Sequence, residues 1–583
     1  MEFSKRTLGA LALSTLVACG GGEPRLNVLV VTLDTTRADA LGAFGGRSGV
    51  TPHLDALAAS GVAFTNARTV VPLTLPSHAS MLTGLVPPRH TVRVNTLKPL
   101  PESAVSVAEL ASEAGVRTAA VVASIALDAS LGTAQGFESY DQPTPPLLQA
   151  ERSFKELKAD EVTDRALAWF EARDPDHPFF FWAHYFDPHV PLEAPIELAA
   201  GRTPYEAEVS FMDQELGRLL AQLKRDGVLD STVVIVVADH GESNGEHREA
   251  THGAFCFDST LKVPLIVRYP DGFGAGSQVD VVTSITDVAP TVLDALGLEI
   301  PDDLDAQSLY RTLEPDDRGA YFESHYGYLQ YGWSPMAGWV TGEHKLVQAA
   351  TPSLFDLKFD PAESEDVYAR NPELVQRLES QLARILSRPA LEPSTQGIDP
   401  ELLERLMSLG YTAGSERTFR EIDPFEATDR LAPHGRGEEL ARFLHAQGLA
   451  QVGRLDEAAT SFEALLKENP ENVSALFELG QLYARNVTGH FDARAIELLT
   501  QALQKGRDWY GPHYFLGEVL VRQGRPEEAE GHLRAALESN PRLYPAMLLL
   551  GRLLEARGET EEGRQFQTRA QELLEADSTR RGR

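Results

Sequence analysis

The sequence predicts an α/β protein with a doubly wound mixed sheet, followed by an all-α solenoid. Two observations indicate this architecture. In the first half of the chain, short apolar and β-branched runs alternate with amphipathic stretches, as strands and helices do in layered α/β proteins. In the last quarter, small residues recur at intervals of 34 to 37 residues, which indicates stacked helical pairs. At 583 residues, the chain is also too long for one ordinary core.

The strand pattern is clearest in the run 27–32, which ends just before Asp34, and in the run 231–238, which ends at Asp239. Ligands of doubly wound sheets bind at the carboxyl ends of strands, so both aspartates are candidate site residues. Further strands are predicted at 117–123 and 178–183, with helices at 54–59, 107–113, 160–171 and 205–224.

A smaller unit is predicted from about residue 341. It contains the sequence Leu354-Phe355-Asp356-Leu357 and an amphipathic helix at 372–386, which together indicate a small sheet with a terminal helix. Residues 387–436 are rich in Pro, Gly and charge. We interpret them as a linker with a short helix near 400–409.

The charge balance restricts the partners. Asp and Glu total 85 against 53 Lys and Arg, which gives a formal net charge of -32 at pH 7. Such an acidic chain is not expected to bind nucleic acid or an anionic membrane surface through its overall field. An anionic substrate would therefore need a local pocket of metal, His, Arg and Lys.

The N-terminus reads Lys5-Arg6, an apolar run at 8–17, and then Ala18-Cys19 with three glycines. Residues 1–18 resemble a bacterial lipoprotein signal peptide. The resemblance implies that Cys19 is lipidated and anchors an extracytoplasmic protein to the cell envelope. The run is too short to span a bilayer, and an ordinary cleaved secretory signal is the alternative. Cys256 is the only other cysteine, so no intramolecular disulfide is expected after lipidation.

Residues 74–84 read Thr-Leu-Pro-Ser-His-Ala-Ser-Met-Leu-Thr-Gly. This segment resembles the nucleophile segment of sulfatases, in which a Cys or Ser precedes x-Pro-Ser-Arg and is oxidised to formylglycine. Thr74 cannot supply that oxidisable group, and His78 stands where the family has Arg. The segment is therefore closer to the threonine-nucleophile enzymes of the wider alkaline phosphatase superfamily. The resemblance spans residues 27–386 and implies a sheet of the alkaline phosphatase/sulfatase type.

Two further segments resemble the metal half-sites of this family. The segment 34–39 (Asp-Thr-Thr-Arg-Ala-Asp) is similar to Asp-Asp-x-Arg-x-Asp, and 239–242 (Asp-His-Gly-Glu) is similar to the second half-site. The implied ligands of one divalent metal ion are Asp34, Asp239, His240 and the Thr74 oxygen. Zinc, manganese and calcium all remain open. From its position alone, Asp34 could instead cap a helix.

The segment 187–191 (Asp-Pro-His-Val-Pro) resembles the sulfatase His-x-Pro motif, and His252 precedes a strand that begins near Lys262. The resemblance implies that His189 and His252 contact the transferred or leaving group, and that Lys262 contacts substrate. The alternatives are a second metal site formed by Asp187, His189 and His252, or histidines that only stabilise loops.

Two residues are expected to support the nucleophile. Arg37 lies three positions after Asp34, as the family's Arg does, and is expected to be a clamp near Thr74 rather than a surface charge. His78 lies one helical turn after Thr74 if the segment opens a helix, where it could orient the nucleophile or cap that helix.

These residues predict an extracytoplasmic, metal-dependent hydrolase or transferase that uses Thr74 as the nucleophile. Phosphoric esters are favoured, because threonine lacks the elimination step by which an aldehyde hydrate expels sulfate. A sulfuric ester hydrolase is the first alternative. The second is a catalytically inactive interaction protein of the cell envelope.

The C-terminal repeat resembles tetratricopeptide repeats, and four are predicted in residues 439–577. Two series of small residues recur, and Pro470 and Pro541 follow second helices of the pairs. The resemblance implies a protein partner in a concave face, with a rigid spacer as the alternative. The series comprise Ala446, Gly480, Gly517 and Gly551, and Ala458, Ala495, Ala529 and Gly563.

Overall fold

The computed structural model describes residues 26–143, 156–408, 422–486, 488–506 and 509–581. The predicted signal peptide and Cys19 lie outside this range. In the described part of the chain, no helix combines the length and the apolar content needed to cross a bilayer.

Within the described residues, nine strands form the main sheet and four form a smaller one. The main-sheet strands are β1 (Asn27–Leu33), β2 (Val62–Arg68), β3 (Arg117–Val122), β4 (Ser139–Asp141), β5 (Phe179–Tyr185), β6 (Thr232–Ala238), β7 (Lys262–Arg268), β8 (Ser277–Val279) and β9 (Thr283–Ser284). The smaller sheet contains β10 (Ala320–Ser324), β11 (Met336–Val340), β12 (His344–Gln348) and β13 (Ser353–Asp356).

The main sheet has the order β4-β3-β5-β1-β6-β7-β2-β8, and β9 pairs with β2. Its central strands are parallel, whereas β7 runs antiparallel to both β6 and β2. This confirms the predicted mixed α/β sheet. β5 and β6 are buried along their whole length, as expected for central strands covered on both faces.

The helices before the repeats are α1 (Pro52–Ala59), α2 (Thr74–Thr83), α3 (Pro87–His90), α4 (Val107–Glu113), α5 (Ala159–Ala172), α6 (Pro204–Arg225), α7 (Asp258–Leu261), α8 (Val288–Ala295), α9 (Tyr326–Tyr331), α10 (Pro372–Leu386) and α11 (Pro400–Ser408). The helices predicted at 54–59, 107–113, 160–171, 205–224 and 372–386 end within one residue of those bounds, and several begin with a recognisable cap. In α4, for example, Ser106 and Glu109 form a reciprocal capping box.

The smaller sheet begins earlier than the predicted boundary near residue 341. β10 starts at Ala320 and pairs antiparallel with β11, whose last residue, Val340, lies opposite it. The sequence pattern before residue 341 did not separate this first pair of strands from the main domain. α10 follows the sheet with the predicted bounds and buries Val375, Leu378 and Leu382.

The segment 387–436, interpreted from sequence as a linker, contacts the first domain where it is described. Arg388 forms ion pairs with Asp303 and Asp305. In α11, Leu402 and Leu406 are buried in a small apolar cluster that includes Leu75 and Ala79 of α2. This described part of the segment therefore packs against the helix that begins at Thr74.

The C-terminal part is a run of consecutive helices, which confirms the predicted all-α unit. They are α12 (Gly437–Gln451), α13 (Leu455–Glu468), α14 (Val473–Ala484), α15 (Asp492–Gln504), α16 (Tyr510–Arg522), α17 (Pro526–Ser539), α18 (Tyr544–Ala556) and α19 (Thr560–Arg581). Each helix contacts the next. The recurring small residues allow close approach, because a Cβ on Gly517 would lie 2.7 Å from the Leu533 side chain.

Candidate active site

The floor of the candidate site lies where two central strands end. β1 and β6 are parallel neighbours, and their last residues, Leu33 and Ala238, are paired in the register. Asp34 and Asp239 follow directly, and both are fully buried. Because parallel strands end at the same edge of a sheet, the two carboxylates meet there.

His240 completes a cluster that could hold a metal ion. One ligand atom from each of Asp34, Asp239 and His240 lies within 4.8 Å of the others. His240 Nε2 is 3.5 Å from Asp239 Oδ2 and 3.9 Å from Asp34 Oδ1. His240 Nδ1 donates to the carbonyl oxygen of Gly241 (2.9 Å), so the lone pair of Nε2 faces the carboxylates. Metal-ligating histidines typically donate their second ring N–H in this way.

The polar atoms of this cluster fit a divalent cation. In the described residues, both Asp34 oxygens, Asp239 Oδ2 and His240 Nε2 are buried without a hydrogen-bond partner. Burial raises the pKa of Asp34 to about 7 and that of Asp239 to about 8. Two adjacent buried carboxylates and a free imidazole lone pair are costly unless a positive charge offsets them. We refer to Asp34, Asp239 and His240 below as the carboxylate cluster.

Thr74 begins the buried helix α2, and its hydroxyl is available for chemistry. Thr74 Oγ1 is buried and has no hydrogen-bond partner among the described residues. The next peptide N–H, that of Leu75, donates to Asn95 Oδ1 (2.9 Å). The backbone at the start of α2 is therefore held by hydrogen bonds that leave the Thr74 side chain unused.

His78 connects this helix turn to the carboxylate cluster. His78 Nδ1 donates to the carbonyl oxygen of Thr74 (2.8 Å) and lies 3.7 Å from Asp239 Oδ2. Its Nε2 accepts from the Thr32 hydroxyl (3.1 Å), which in turn accepts from Trp182 Nε1 (2.8 Å). Burial lowers the pKa of His78 to about 3. His78 therefore orients the first turn of α2 as a neutral side chain and does not replace the charge of the family's Arg.

Residue 35 stands where the sulfatase pattern has a second acid. Thr35 has a φ of 46°, which is unusual for a β-branched residue. Its N–H donates to Asp239 Oδ1 (3.2 Å), while Oγ1 is buried without a partner among the described residues. The strained backbone thus places the Thr35 amide against one carboxylate and brings a hydroxyl, not a charge, to this position.

The sequence reasoning missed His184 as a site residue. It is fully buried near the end of β5, and its Nε2 lies 3.4 Å from Asp34 Oδ2. The Ala123 N–H donates to His184 Nδ1 (3.2 Å), so Nε2 carries the proton that faces Asp34. The available signal was a histidine next to the last residue of a strand that pairs with β1.

Asn95 contacts the first turn of α2. Because the Leu75 N–H requires an acceptor, the Asn95 oxygen must face it. Its Nδ2 group is left buried without a hydrogen-bond partner in the described part of the chain. An unused amide donor next to the first turn of α2 is suited to an oxygen of an anionic substrate.

His189 and His252 lie on the solvent side of the site. The two residues are slightly exposed, at 7% for His189 and 8% for the His252 side chain, whereas the carboxylate cluster is fully buried. The His252 ring lies 4.4 Å from that of His240 and 5.4 Å from that of His189. His252 Nδ1 is 3.2 Å from Glu242 Oε1. Burial lowers the pKa of His252 to about 4.

The alternative second metal set is not assembled. Asp187 faces Glu208 rather than His189 and His252, and burial raises the pKa of the Asp187 carboxyl well above its usual value. In the described residues, the carboxylate cluster is the only group of three or more His, Cys, Asp or Glu residues with ligand atoms this close.

Arg37 has partners other than those expected. Its guanidinium donates to both oxygens of Asp39, to Glu246 Oε1 (2.8 Å) and to the carbonyl oxygen of Glu242 (2.9 Å). No hydrogen bond joins it to Thr74 in the described structure. Arg37 therefore links the loop after β1 to the loop after β6. It is not directed to Thr74, because two acidic side chains take its donors.

Lys262 lies in a neighbouring cavity with Arg37. The cavity has a volume of about 1050 Å³, and its lining includes Phe44 and Phe257. Burial lowers the pKa of Lys262, and the charges that act on it come from Arg68 and nearby aspartates outside the carboxylate cluster. The structure does not bring Lys262 to the cluster.

The comparisons with known proteins identify the family of each part of the chain. The sequence profile of the sulfatase family matches residues 26–298, and that of the C-terminal region of N-sulphoglucosamine sulphohydrolase matches 245–388. Tetratricopeptide repeat profiles match 443–512 and 514–578.

Two curated relatives are sulfatases. The uncharacterized sulfatase YidJ of Escherichia coli strain K12 is 25% identical over 420 residues, which cover 59% of this chain and 83% of the relative. The ulvan-active sulfatase of Formosa agariphila is 26% identical over 440 residues, or 66% of this chain and 81% of the relative.

A similar solved structure is the phosphonate monoester hydrolase of Agrobacterium radiobacter. It has a TM-score of 0.52 and 24% identity, and covers 62% of this chain and 95% of that one. This likeness concerns the fold. Together, the two sulfatase profiles span residues 26–388 without a gap. The chain therefore belongs to the sulfatase family of the alkaline phosphatase superfamily, as a hydrolase domain followed by tetratricopeptide repeats.

Proposed function

We propose that this chain hydrolyses an anionic ester, with Thr74 Oγ1 as the nucleophile and a divalent cation held by the carboxylate cluster. The observation that carries the proposal is the set of unpartnered polar atoms at one end of the sheet. The unpartnered Thr74 hydroxyl lies at the start of α2. His78, which contacts that turn, lies 3.7 Å from Asp239 Oδ2. A buried, unpartnered hydroxyl on a helix turn that His78 connects to the carboxylate cluster suits nucleophilic ester cleavage.

The family comparisons support a sulfuric ester better than the phosphoric ester favoured from sequence, because the curated relatives named above are sulfatases. We therefore propose sulfuric esters as the first substrate class. Phosphoric esters remain a second candidate for one reason, which is that residue 74 is threonine and cannot be converted to the aldehyde form. Whether the reaction is a hydrolysis or a transfer depends on whether water or an alcohol attacks the threonine ester.

When bound, a divalent cation supplies positive charge that stabilises the anionic ester and favours loss of a proton from a nearby hydroxyl. Asp34, Asp239 and His240 would hold it, and this ligand set accommodates calcium, zinc or manganese. His184 Nε2 lies 3.4 Å from Asp34 Oδ2, and the hydrogen bond to the Gly241 carbonyl oxygen fixes the orientation of the His240 ring.

In the proposed reaction, Thr74 Oγ1 gives its proton to solvent and attacks the sulfur atom. The bond from sulfur to the alcohol oxygen breaks, and the alcohol leaves with a proton donated by His252 or His189. Water then gives a proton to that histidine and attacks the sulfur of the threonine ester, so that hydrogen sulfate is released and the Thr74 oxygen takes a proton back from solvent. A phosphoric ester would follow the same sequence at phosphorus.

In the protein without a metal ion, the His252 ring is neutral, because burial lowers its pKa to about 4. An anionic substrate beside the ring would favour its protonated form. The Glu242 carboxylate, 3.2 Å from His252 Nδ1, fixes the ring so that Nε2 can face the leaving group.

The Asn95→Asp variant is expected to lower kcat/KM by about 10²- to 10³-fold, the usual effect of removing one donor to a developing anion. The aspartate can still accept from the Leu75 N–H, so the start of α2 is retained. It loses the Nδ2 donor and adds a negative charge. Steady-state kinetics measures the effect, and unchanged kcat/KM would show that the Asn95 amide does not contact substrate.

The direct test of the proposed function is a substrate panel. The purified protein, supplied in turn with calcium, zinc and manganese, is assayed with 4-nitrophenyl sulfate, phosphate, phenylphosphonate and a phosphodiester. The highest kcat/KM is expected for the sulfate. A clear preference for a phosphorus ester would replace the first candidate by the second, and no turnover with any ester or cation would refute the proposal.

We also propose that Cys19 anchors the protein to the bacterial cell envelope, and that the repeats bind a protein partner. The basis for the anchor is the signal-like sequence of residues 1–18. The Cys19→Ser variant is expected to move from the membrane fraction to the soluble envelope fraction. Unchanged partitioning would rule out lipidation as the anchor.

A further inference from the structure

One loop connects the candidate active site to the first repeat. Residues 242–253 follow the carboxylate cluster and carry both Glu242 and His252. On the active-site side, His252 Nδ1 lies 3.2 Å from Glu242 Oε1. Arg37 holds the same loop through the Glu242 carbonyl oxygen (2.9 Å) and the Glu246 carboxylate (2.8 Å).

On its opposite side, this loop packs against the N-terminus of α12. His247 and Arg248 have φ values of 52° and 63°, so the loop adopts a strained conformation that its surroundings must maintain. Gly437, the first residue of α12, lies directly on it. A Cβ at Gly437 would be 2.1 Å from the His247 carbonyl oxygen and 2.9 Å from Arg248 Cβ. Only glycine permits this approach of two backbones.

A second contact from α12 supports the end of the loop. Glu439 is buried and accepts hydrogen bonds from Trp333 Nε1 (3.2 Å), Asn469 Nδ2 (2.6 Å) and Asn472 Nδ2 (3.0 Å). The Trp333 ring stacks on Phe255, with centroids 5.6 Å apart and planes within 11°. Phe255 lies three residues after His252, just past the end of the loop. The hydrogen bond between Trp333 and Glu439 therefore fixes the ring on which Phe255 stacks.

Besides Arg37, the hydrolase domain holds the loop through the Ser324 hydroxyl, which donates to the Gly253 carbonyl oxygen (2.5 Å). The loop's internal hydrogen bonds include the Ser243 N–H to the Thr251 carbonyl oxygen (2.9 Å). The N–H groups of Ala254 and Phe255 donate to Glu249 Oε1 (2.8 and 3.1 Å). These bonds close the loop on itself, and α12 adds contacts at His247 and Arg248, midway between the ends of the loop.

We propose that the first tetratricopeptide repeat is a structural part of the active site, in which Gly437 and Glu439 position the loop 242–253 so that His252 reaches the leaving group. The inference rests on the proposed function for the role of His252. Gly437 and Glu439 are positioning residues, since both act through the loop. The repeats are thus more than a spacer, and the hydrolase domain depends on them for turnover.

The test compares two glycines of the same helix in the full chain. Gly437→Ala forces a methyl group against the His247 carbonyl oxygen, whereas a Cβ at Gly448 meets nothing within 4 Å. Hydrogen exchange followed by mass spectrometry is expected to show faster exchange at residues 242–255 in Gly437→Ala and no change in Gly448→Ala. kcat/KM is expected to fall about 10- to 100-fold in Gly437→Ala alone, as for a small displacement of a catalytic group.

The leaving group distinguishes positioning of His252 from general damage. The fall in kcat/KM should be larger for a phenyl ester than for a 4-nitrophenyl ester, because the poorer leaving group depends more on proton donation. His252→Gln should show the same difference. Glu439→Ala should reproduce it if Gly437→Ala folds poorly, with Glu457→Ala as its control, since Glu457 is exposed and pairs with Arg454 rather than with the loop.

Loop exchange in Gly437→Ala and Glu439→Ala equal to that of their controls would overturn the inference. So would faster exchange with unchanged kcat/KM, or an equal loss for both leaving groups where His252→Gln shows a difference. Failure of the proposed function is separate, because it would appear as an inactive wild-type protein. In that case, the exchange comparison alone decides whether α12 positions the loop.

Discussion

Thr74→Ala is expected to lose turnover of the best ester substrate by on the order of 10³- to 10⁶-fold, the range found when a catalytic nucleophile is removed. Thr74 Oγ1 is the buried hydroxyl at the start of α2, and no hydrogen bond in the described structure uses it. Its loss removes the atom that forms the covalent ester, and the other hydroxyl of the first turn, that of Ser77, already donates to the Val71 carbonyl oxygen (2.6 Å). Steady-state kinetics with metal-supplemented protein measures the effect.

Two controls accompany this variant. Thr74→Ser keeps the oxygen and is expected to retain activity within about tenfold, because only a methyl group is lost. Thr83→Ala changes another buried threonine of α2, whose hydroxyl donates to the Ala79 carbonyl oxygen (2.7 Å). It is expected to keep wild-type kinetics per folded molecule. Full activity in Thr74→Ala would show that the nucleophile is elsewhere.

Asp239→Asn is expected to abolish both metal binding and turnover. A cation at 100 times its Kd stabilises the folded protein by about 2.7 kcal/mol. When the metal is removed from the wild-type protein with a chelator and the cation is then added back, the melting temperature should therefore rise. The variant should show no such rise. Its amide can still accept from the Thr35 and His240 N–H groups, so the backbone contacts remain. kcat/KM should fall at least about 10²-fold, since a metal ligand and its charge are lost.

Asp213→Asn is the matched control for a buried aspartate. Asp213 accepts from the N–H groups of His53 (3.1 Å) and Leu54 (2.8 Å) at the start of α1, away from the carboxylate cluster. This variant should lose some stability and keep the full response to the cation. If Asp239→Asn responded to the cation as the wild-type protein does, the carboxylate cluster would not be the metal site.

Much of the fold could be predicted because the central strands are continuous apolar runs. β1 and β6 differ from their predicted bounds by one residue each. β2 was not predicted, because Thr65 and Asn66 interrupt its apolar pattern although the strand is almost wholly buried. Its partner, β7, runs antiparallel to both neighbours, a reversal that local sequence patterns do not encode.

The candidate site could be predicted where its residues follow strand ends. Asp34 and Asp239 converge because β1 and β6 are parallel neighbours. His184 was missed, because it reaches Asp34 from within a third strand, and that neighbour relation is not visible in sequence. Arg37 was expected near Thr74, but Asp39 and Glu246 compete for its guanidinium. Such competition depends on loop geometry that the spacing of residues does not specify.

The most direct test of the central claim is the detection of a covalent ester on Thr74. The metal-loaded protein is mixed with its best substrate, quenched within one turnover, and measured by intact-protein mass spectrometry with peptide mapping. A single sulfuryl or phosphoryl group on the peptide that contains Thr74, absent from Thr74→Ala, is the predicted result. Rapid turnover with Thr74 unmodified at every quench time, or with the group on another residue, would contradict the account.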